Sequence, residues 1–247
     1  MKGPGKLIVS ILMIVICIGL LIPAYLYFQR NPISQANRMK AQAKKEYFAR
    51  EYLKAYKAYQ FLFDSLKVKS DPASLNYANA AFMSSGILRD GFYGSSGQTT
   101  LSDSVLGMLE DVSEAEYVRL TSTKDNKIAS KAANQLGYSA LKKGDLFVDE
   151  DTDSVLTVAL DHFKTALRKN PGNDSARYNY ELIKKIVLFP ETILSQAKAL
   201  VAEKKYVEAQ TLLENAMKRD PRLKKQTEFL DRIKLVVKID SLYAKRI

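Results

Sequence analysis

The segment from Leu160 to Lys185, LDHFKTALRKNPGNDSARYNYELIKK, holds the end of one helix and the start of the next. Pro171 disfavours helix in the residue before it, Gly172 tolerates positive φ, and Asn173 can cap a new helix. Apolar residues recur at helical spacing on both sides of the break: Leu160, Phe163, Ala166 and Leu167 before it, and Ala176, Tyr180 and Ile183 after it. Helices joined by so short a turn lie antiparallel, so the segment predicts a helical hairpin.

The helix that ends at this break has a second copy further along the chain. ALDHFKTALRKNP, which ends at Pro171, matches AQTLLENAMKRDP, which ends at Pro221, and a fainter third copy lies in EYLKAYKAYQFLF. The repeated small or apolar positions are Ala159, Phe163 and Ala166, then Ala209, Leu213 and Ala216, and in the fainter copy Ala55, Tyr59 and Leu62. Since one hairpin cannot bury its apolar face alone, the repetition predicts stacked hairpins.

These positions resemble the tetratricopeptide repeat (TPR) family. Gly137, Tyr138 and Gly144 in ANQLGYSALKKGD carry the resemblance, together with the repeated residues and the closing prolines. The sequence departs from the family after Gly144, where LFVDEDTDSV is inserted, and at Lys67, which stands where the fainter copy lacks its proline. The resemblance implies an all-α, TPR-like solenoid of helical hairpins. Its expected bounds are residues 31–247, with loop insertions near residues 90–103 and 145–154.

The segment NPGNDSARYNYELIKK is similar to a helix that often closes the repeats in TPR proteins of bacterial aerotolerance (Bat) clusters. That resemblance implies a non-enzymatic scaffold in a bacterial membrane complex, with oligomeric assembly. The implied partners are membrane proteins with von Willebrand A domains and a MoxR-type AAA+ ATPase. The alternative is a membrane-anchored, chaperone-like TPR protein that binds exported proteins near the translocon.

An uncharged apolar run, LIVSILMIVICIGLLIPAYLYF, occupies Leu7 to Phe28. Its length suits a hydrocarbon core of about 30 Å, so residues 1–30 are predicted to be a single transmembrane anchor. A cleaved signal peptide is the rival, because Lys2 and Lys6 form a basic head. The run exceeds the usual signal-peptide core, and no small-x-small cleavage site precedes YLYFQRNP, which favours an uncleaved anchor.

The side of the membrane is indicated by less direct signs. Basic residues after the run, from Arg30 to Lys45, favour a cytoplasmic C-terminal part. A short basic head before one long apolar run is instead typical of an anchor that exports the rest of its chain. Cys17, the only cysteine, lies in the run, and a cysteine-free remainder suits an oxidising compartment. We therefore predict a bacterial inner-membrane protein with a periplasmic soluble part.

The chain is strongly basic, with a formal net charge of +11. Nucleic acid, anionic lipid and acidic proteins are all attracted by such a charge. Most lysines are spread over many helices or close them in pairs, where cations offset the helix dipole. The positive charge is therefore interpreted mainly as solvent-exposed lysines on helix faces and helix ends. No nucleic-acid partner is predicted. Arg38, Lys40, Lys44 and Lys45, which come after the anchor, are candidates for lipid contact.

Three further expectations concern where helices end and which side chains face inward. A Gly/Ser/Thr-rich interruption is expected at residues 86–104. Pro190 is expected to end the helix that starts after Asn173, because proline has no backbone N–H and clashes with the carbonyl four residues earlier. The residues expected on the inner face of the last helix are Phe229, Ile233, Val236 or Val237, and Leu242.

Residues for enzymatic chemistry are scarce. The single histidine, His162, has no cysteine partner outside the apolar run, and neither G-x-S-x-G nor a phosphate-binding glycine loop occurs. The acidic insert alternates its aspartates as a calcium loop does, but it lacks the glycine and the distal glutamate that such a loop requires. Asp153 is instead expected to cap the next helix. We predict no catalytic residue, cofactor or metal site.

One helix carries a stripe suited to binding another protein. The candidate partner-binding residues are Lys131, Asn134, Tyr138 and Lys142 on that helix, with Tyr178 and Lys198 extending the stripe. In stacked hairpins the first helices line a concave groove, and these residue types suit an extended or carboxylate-bearing peptide. The alternative is that Tyr138 packs between hairpins and the lysines are only solvated.

Overall fold

The computed structural model describes residues 31–94, 100–143 and 152–244, and before them residues 13, 17–23, 25 and 27. The described ranges are all-α, as the sequence predicts, and contain no strand. Most of the apolar run at residues 7–28 lies outside them. Within the described ranges, every helix is too short or too polar to span a lipid bilayer. The chain divides into two compact units, Met1–Leu120 and Thr121–Ile247.

The first unit contains an antiparallel hairpin followed by two longer helices. Its elements are α1 (Pro32–Phe48), α2 (Tyr52–Asp64), α3 (Asp71–Gly94) and α4 (Thr100–Thr121). The hairpin turns at Arg50, which adopts a left-handed φ of 62°. There the Glu51 N–H donates to the Glu46 carbonyl at 2.9 Å, and the Arg50 N–H donates to Tyr47 at 3.0 Å. These bonds satisfy the last carbonyls of α1.

The second unit is a run of helices in which each packs on the next. Its elements are α5 (Asn126–Lys143), α6 (Thr152–Lys169), α7 (Asp174–Ala202), α8 (Tyr206–Arg219), a 3₁₀ helix (Pro221–Gln226) and α9 (Thr227–Ala244). α5 also contacts α7, so the first helices of successive hairpins are neighbours. The turn before α8 repeats the turn before α2: Lys204 has a φ of 59°, and the Lys205 N–H donates to the Leu200 carbonyl at 2.8 Å.

The repeated positions form the cores of the hairpins, as the sequence predicts. The buried residues are Ala159, Phe163 and Ala166 of α6, Ala209, Leu213 and Ala216 of α8, and Ala55, Tyr59 and Leu62 of α2. At Gly137 of α5, an added Cβ would lie 2.6 Å from the Phe163 ring. Real Cβ atoms do not approach a ring so closely, so the spacing between α5 and α6 requires glycine at this position.

The prediction that Pro190 ends a helix is wrong, because α7 continues through it from Asp174 to Ala202. Proline leaves the carbonyl of Ile186, four residues earlier, without its helical N–H donor. The Arg222 guanidinium, from the 3₁₀ helix, donates to that carbonyl at 2.7 Å. A side chain distant in the sequence therefore supplies the hydrogen bond that Pro190 removes.

Three other expectations about helix bounds and faces need correction. α3 continues to Gly94, beyond the start of the predicted interruption, since a glycine costs a helix only about 1 kcal/mol. Leu242 is exposed rather than inward, whereas Ile233 is buried as expected. Asp153 lies inside α6, and its carboxylate binds Arg222 at 2.9 Å. Residues 144–151 of the acidic insert lie outside the described residues.

Candidate partner-binding surface

α5 is buried on every side but one. Its buried residues include Ala129, Ala132, Ala133, Leu136 and Gly137. These small side chains let α6 and α7 approach closely, and they leave a single exposed stripe along the helix. Lys131, Tyr138 and Lys142 are exposed on this stripe, and Asn134 lies half-buried at its edge. The structure therefore places all four predicted α5 residues where the helical spacing put them.

Hydrogen bonds fix the first half of α7 beside α5. The Asn179 amide donates to Asn134 Oδ1 at 3.0 Å, and the Asn173 amide donates to Ser130 Oγ at 2.9 Å. Asn173 also caps α7, as predicted, by accepting from the Ala176 N–H at 3.1 Å. The half-buried Asn134 is thus a joint between the two helices. Its side-chain oxygen is bound to α7 and therefore stabilises the helix pair in addition to any contact with a partner.

α7 presents an exposed apolar stripe on the side nearest α5. Tyr178, Leu182 and Ile186 keep 69%, 43% and 39% of their surface exposed. Leu182 and Ile186 follow Asn179 at helical intervals of three and seven, so they share the face that meets Asn134. The sequence pattern did not single out Leu182 and Ile186, because apolar residues at helical spacing are usually core. Only the packing of α5 against α7 shows which of them remain exposed.

Lys198 belongs to a different part of the molecule. It is exposed on the second half of α7, beyond Pro190, where α7 pairs with α8. Its position is about 30 Å further along the helix axis than Tyr178, at 1.5 Å per residue. Tyr178 is thus next in sequence to Asn179, which binds Asn134 of α5, whereas Lys198 lies on the other half of α7. We define the α5–α7 surface by Lys131, Asn134, Tyr138 and Lys142 of α5 with Tyr178, Leu182 and Ile186 of α7.

The charge of α5 is entirely positive. The helix carries four lysines, Lys127, Lys131, Lys142 and Lys143, and no acidic residue. Asp125 precedes the helix, and its carboxylate accepts from the backbone N–H groups of Lys127 and Ile128 at 2.9 and 3.1 Å. The positive charge next to the apolar stripe of α7 therefore favours a partner segment with both acidic and apolar side chains.

A second group of charged residues is structural. The side chains of Arg222 and Asp220 are only 11% and 13% exposed, and they pair at 2.6 Å. Burial alone would raise the pKa of the Asp220 carboxyl, but the hydrogen bonds from Arg222 outweigh it and hold that pKa below its usual value. Because the guanidinium also binds Asp153 and the Ile186 carbonyl, this cluster ties the 3₁₀ helix to α6 and α7.

Other chemistry has little support in the described residues. His162 lies half-buried on α6, beside Phe163. Within the described ranges, no group of three or more histidine, cysteine, aspartate or glutamate side chains is placed to hold a metal ion. Models of known protein families give no match to the chain, and neither do curated proteins or solved structures.

Proposed function

We propose that this chain is a non-enzymatic, membrane-anchored scaffold of the TPR kind that binds other proteins through the α5–α7 surface. One observation carries the proposal. Exposed apolar side chains of α7 lie beside a lysine-bearing helix that has no acidic residue. Such a combination of apolar contact area and one sign of charge is typical of a protein-binding surface.

The TPR assignment has further support within the second unit. Helices pair at the repeated alanines, and Gly137 allows a close approach between α5 and α6. The run Leu7–Phe28 is the proposed single transmembrane anchor, which holds the scaffold in a bacterial inner membrane on the periplasmic side. The proposed partners are those implied by the Bat resemblance: von Willebrand A-domain membrane proteins and a MoxR-type AAA+ ATPase, in an oligomeric assembly.

A second candidate is a chaperone-like protein for exported chains. The exposed stripe of Tyr178, Leu182 and Ile186 favours it, because unfolded segments offer apolar side chains without a fixed sequence. The two candidates differ in the lifetime and identity of the bound proteins. A scaffold keeps a few defined membrane subunits, whereas a chaperone keeps many short-lived substrates.

The test is co-purification of the full chain from membranes in mild detergent, with mass spectrometry. Lys131→Glu/Tyr138→Ala alters the α5–α7 surface, and Lys164→Glu/Tyr243→Ala is a matched control at exposed positions of α6 and α9. We expect the first variant to lose a small set of stable membrane partners and the control to keep them. Equal retention by both variants would contradict the proposal. Many substoichiometric exported proteins would favour the chaperone.

A further inference from the structure

α1 has an exposed face along one side of the helix. Its buried residues, Ser34, Ala36 and Ala43, are directed towards the interior of the first unit. Turned away from Ala36 and Ala43, an exposed stripe runs along the whole helix at intervals of three or four residues. The members of this α1 stripe are Ile33, Asn37, Ala41, Lys44 and Phe48. Ile33 is 71% exposed and Phe48 is 74% exposed, so a large apolar side chain stands at each end.

The hairpin around this stripe is strongly basic. Residues 31–57 contain seven lysines and arginines but only two glutamates. Both carboxylates have nearby partners: Glu46 accepts from Gln42 at 2.9 Å, and Glu51 pairs with Lys54 at 3.0 Å. Lys44 also lies over the Phe48 ring, with its Nζ 5.9 Å from the ring centroid. Cations are therefore interleaved with the exposed apolar groups.

α1 begins where the apolar run of the sequence ends. The Asn31 N–H donates to the Tyr27 carbonyl at 2.9 Å, and the Asn31 side chain accepts from the Ile33 N–H at 2.9 Å. These bonds place the start of α1 within one helical turn of Tyr27. If residues 7–28 are embedded in a bilayer, the first residues of α1 lie at the headgroup level.

We propose that the α1 stripe lies on an anionic phospholipid surface, an inference that rests on the proposed anchor. Ile33 and Phe48 enter the boundary between headgroups and acyl chains, while Lys44 and the neighbouring Arg38 and Lys45 lie among the phosphates. An acidic protein or a nucleic acid would account for the cations but not for the exposed apolar ends beside the membrane. Amphipathic helices bind bilayers through this combination of apolar and cationic groups.

The absence of tryptophan from the chain allows a single-residue test. Phe48→Trp places one fluorophore on the α1 stripe. Tyr47→Trp is the matched control, since Tyr47 is the adjacent residue on a different face and packs in the core of the first unit. The full-length protein is reconstituted in vesicles of phosphatidylcholine, with or without phosphatidylglycerol, and quenched by lipids brominated in the acyl chains.

We expect quenching at position 48, but not at position 47, that increases with phosphatidylglycerol. Lys44→Gln/Lys45→Gln removes two cations from this face. Each substitution should lower the affinity of the face for phosphatidylglycerol-containing vesicles by about fivefold. Equal quenching at both positions, or no effect of phosphatidylglycerol, would overturn the proposal. So would an emission change at position 48 that soluble heparin produces and vesicles do not, because it would assign the face to a macromolecular polyanion. Flotation with neutral vesicles reports the anchor separately.

Discussion

Gly137 sets the distance between α5 and α6. An alanine Cβ at this position would meet the Phe163 ring at 2.6 Å, and the buried ring has little room to move. We predict that Gly137→Ala lowers the free energy of unfolding by about 1–3 kcal/mol. Urea denaturation followed by circular dichroism measures the change.

Gly107 in α4 provides a control, because an alanine there should raise the free energy of unfolding rather than lower it. Nothing lies within 4 Å of a Cβ built at Gly107, so Gly107→Ala should stabilise its helix by about 1 kcal/mol. Gly137→Ala should cost less in a Phe163→Leu background, because the smaller side chain leaves room for the added methyl group. A Gly137→Ala protein as stable as the parent would mean that α5 and α6 are further apart than described.

Arg222 binds the mostly buried carboxylate of Asp220 and the Ile186 carbonyl, whose helical N–H donor Pro190 removes. Arg222→Met leaves Asp220 and the Ile186 carbonyl without this donor, and we predict a loss of about 3 kcal/mol in the free energy of unfolding. Arg232→Met is the matched control, because Arg232 pairs with Glu228 in an exposed position and should change stability by less than about 1 kcal/mol. Similar losses in both variants would show that the cluster is not structural.

The acid dependence of stability gives an independent measure of the Arg222–Asp220 pair. Because the pKa of Asp220 is lowered in the folded state, the pair contributes its full stability above the unfolded pKa of aspartate, about 4. This contribution is lost as the pH falls from there towards the folded pKa. The part of the acid destabilisation that is due to Asp220 should therefore be absent from Arg222→Met. An unchanged acid profile would contradict the assignment.

At the scale of the elements, Pro190 and Arg222 are linked through the Ile186 carbonyl of α7. Pro190→Ala restores the N–H that Ile186 lacks, so the Arg222 donor becomes less important. We predict that Arg222→Met costs less in the Pro190→Ala background, with a coupling of about 1 kcal/mol. A double-mutant cycle of free energies of unfolding from urea denaturation measures this coupling. Strictly additive effects would show that the two residues are not energetically coupled.

Local spacing explains which elements the sequence could predict. The hairpin around Pro171 follows from periodicity and turn residues, and the alanines of α6 and α8 are buried where they recur. The path of α7 through Pro190 was not predictable, because the compensating bond comes from Arg222, far away in the sequence. The exposure of Leu182 and Ile186 was not predicted from the sequence for a related reason. Their exposure depends on where α5 packs, which no local pattern records.

At the scale of the second unit, α7 serves two hairpins at once. Its first half packs on α5 and α6, and its second half packs on α8. No linker separates the two hairpins, so one of them cannot open without fraying a helix that the other needs. Native-state hydrogen exchange should therefore show the buried amides of α6 and α8 opening with the same free energy and the same dependence on denaturant. If α8 loses its protection well before α6, the two hairpins open as separate cooperative units despite the helix that they share.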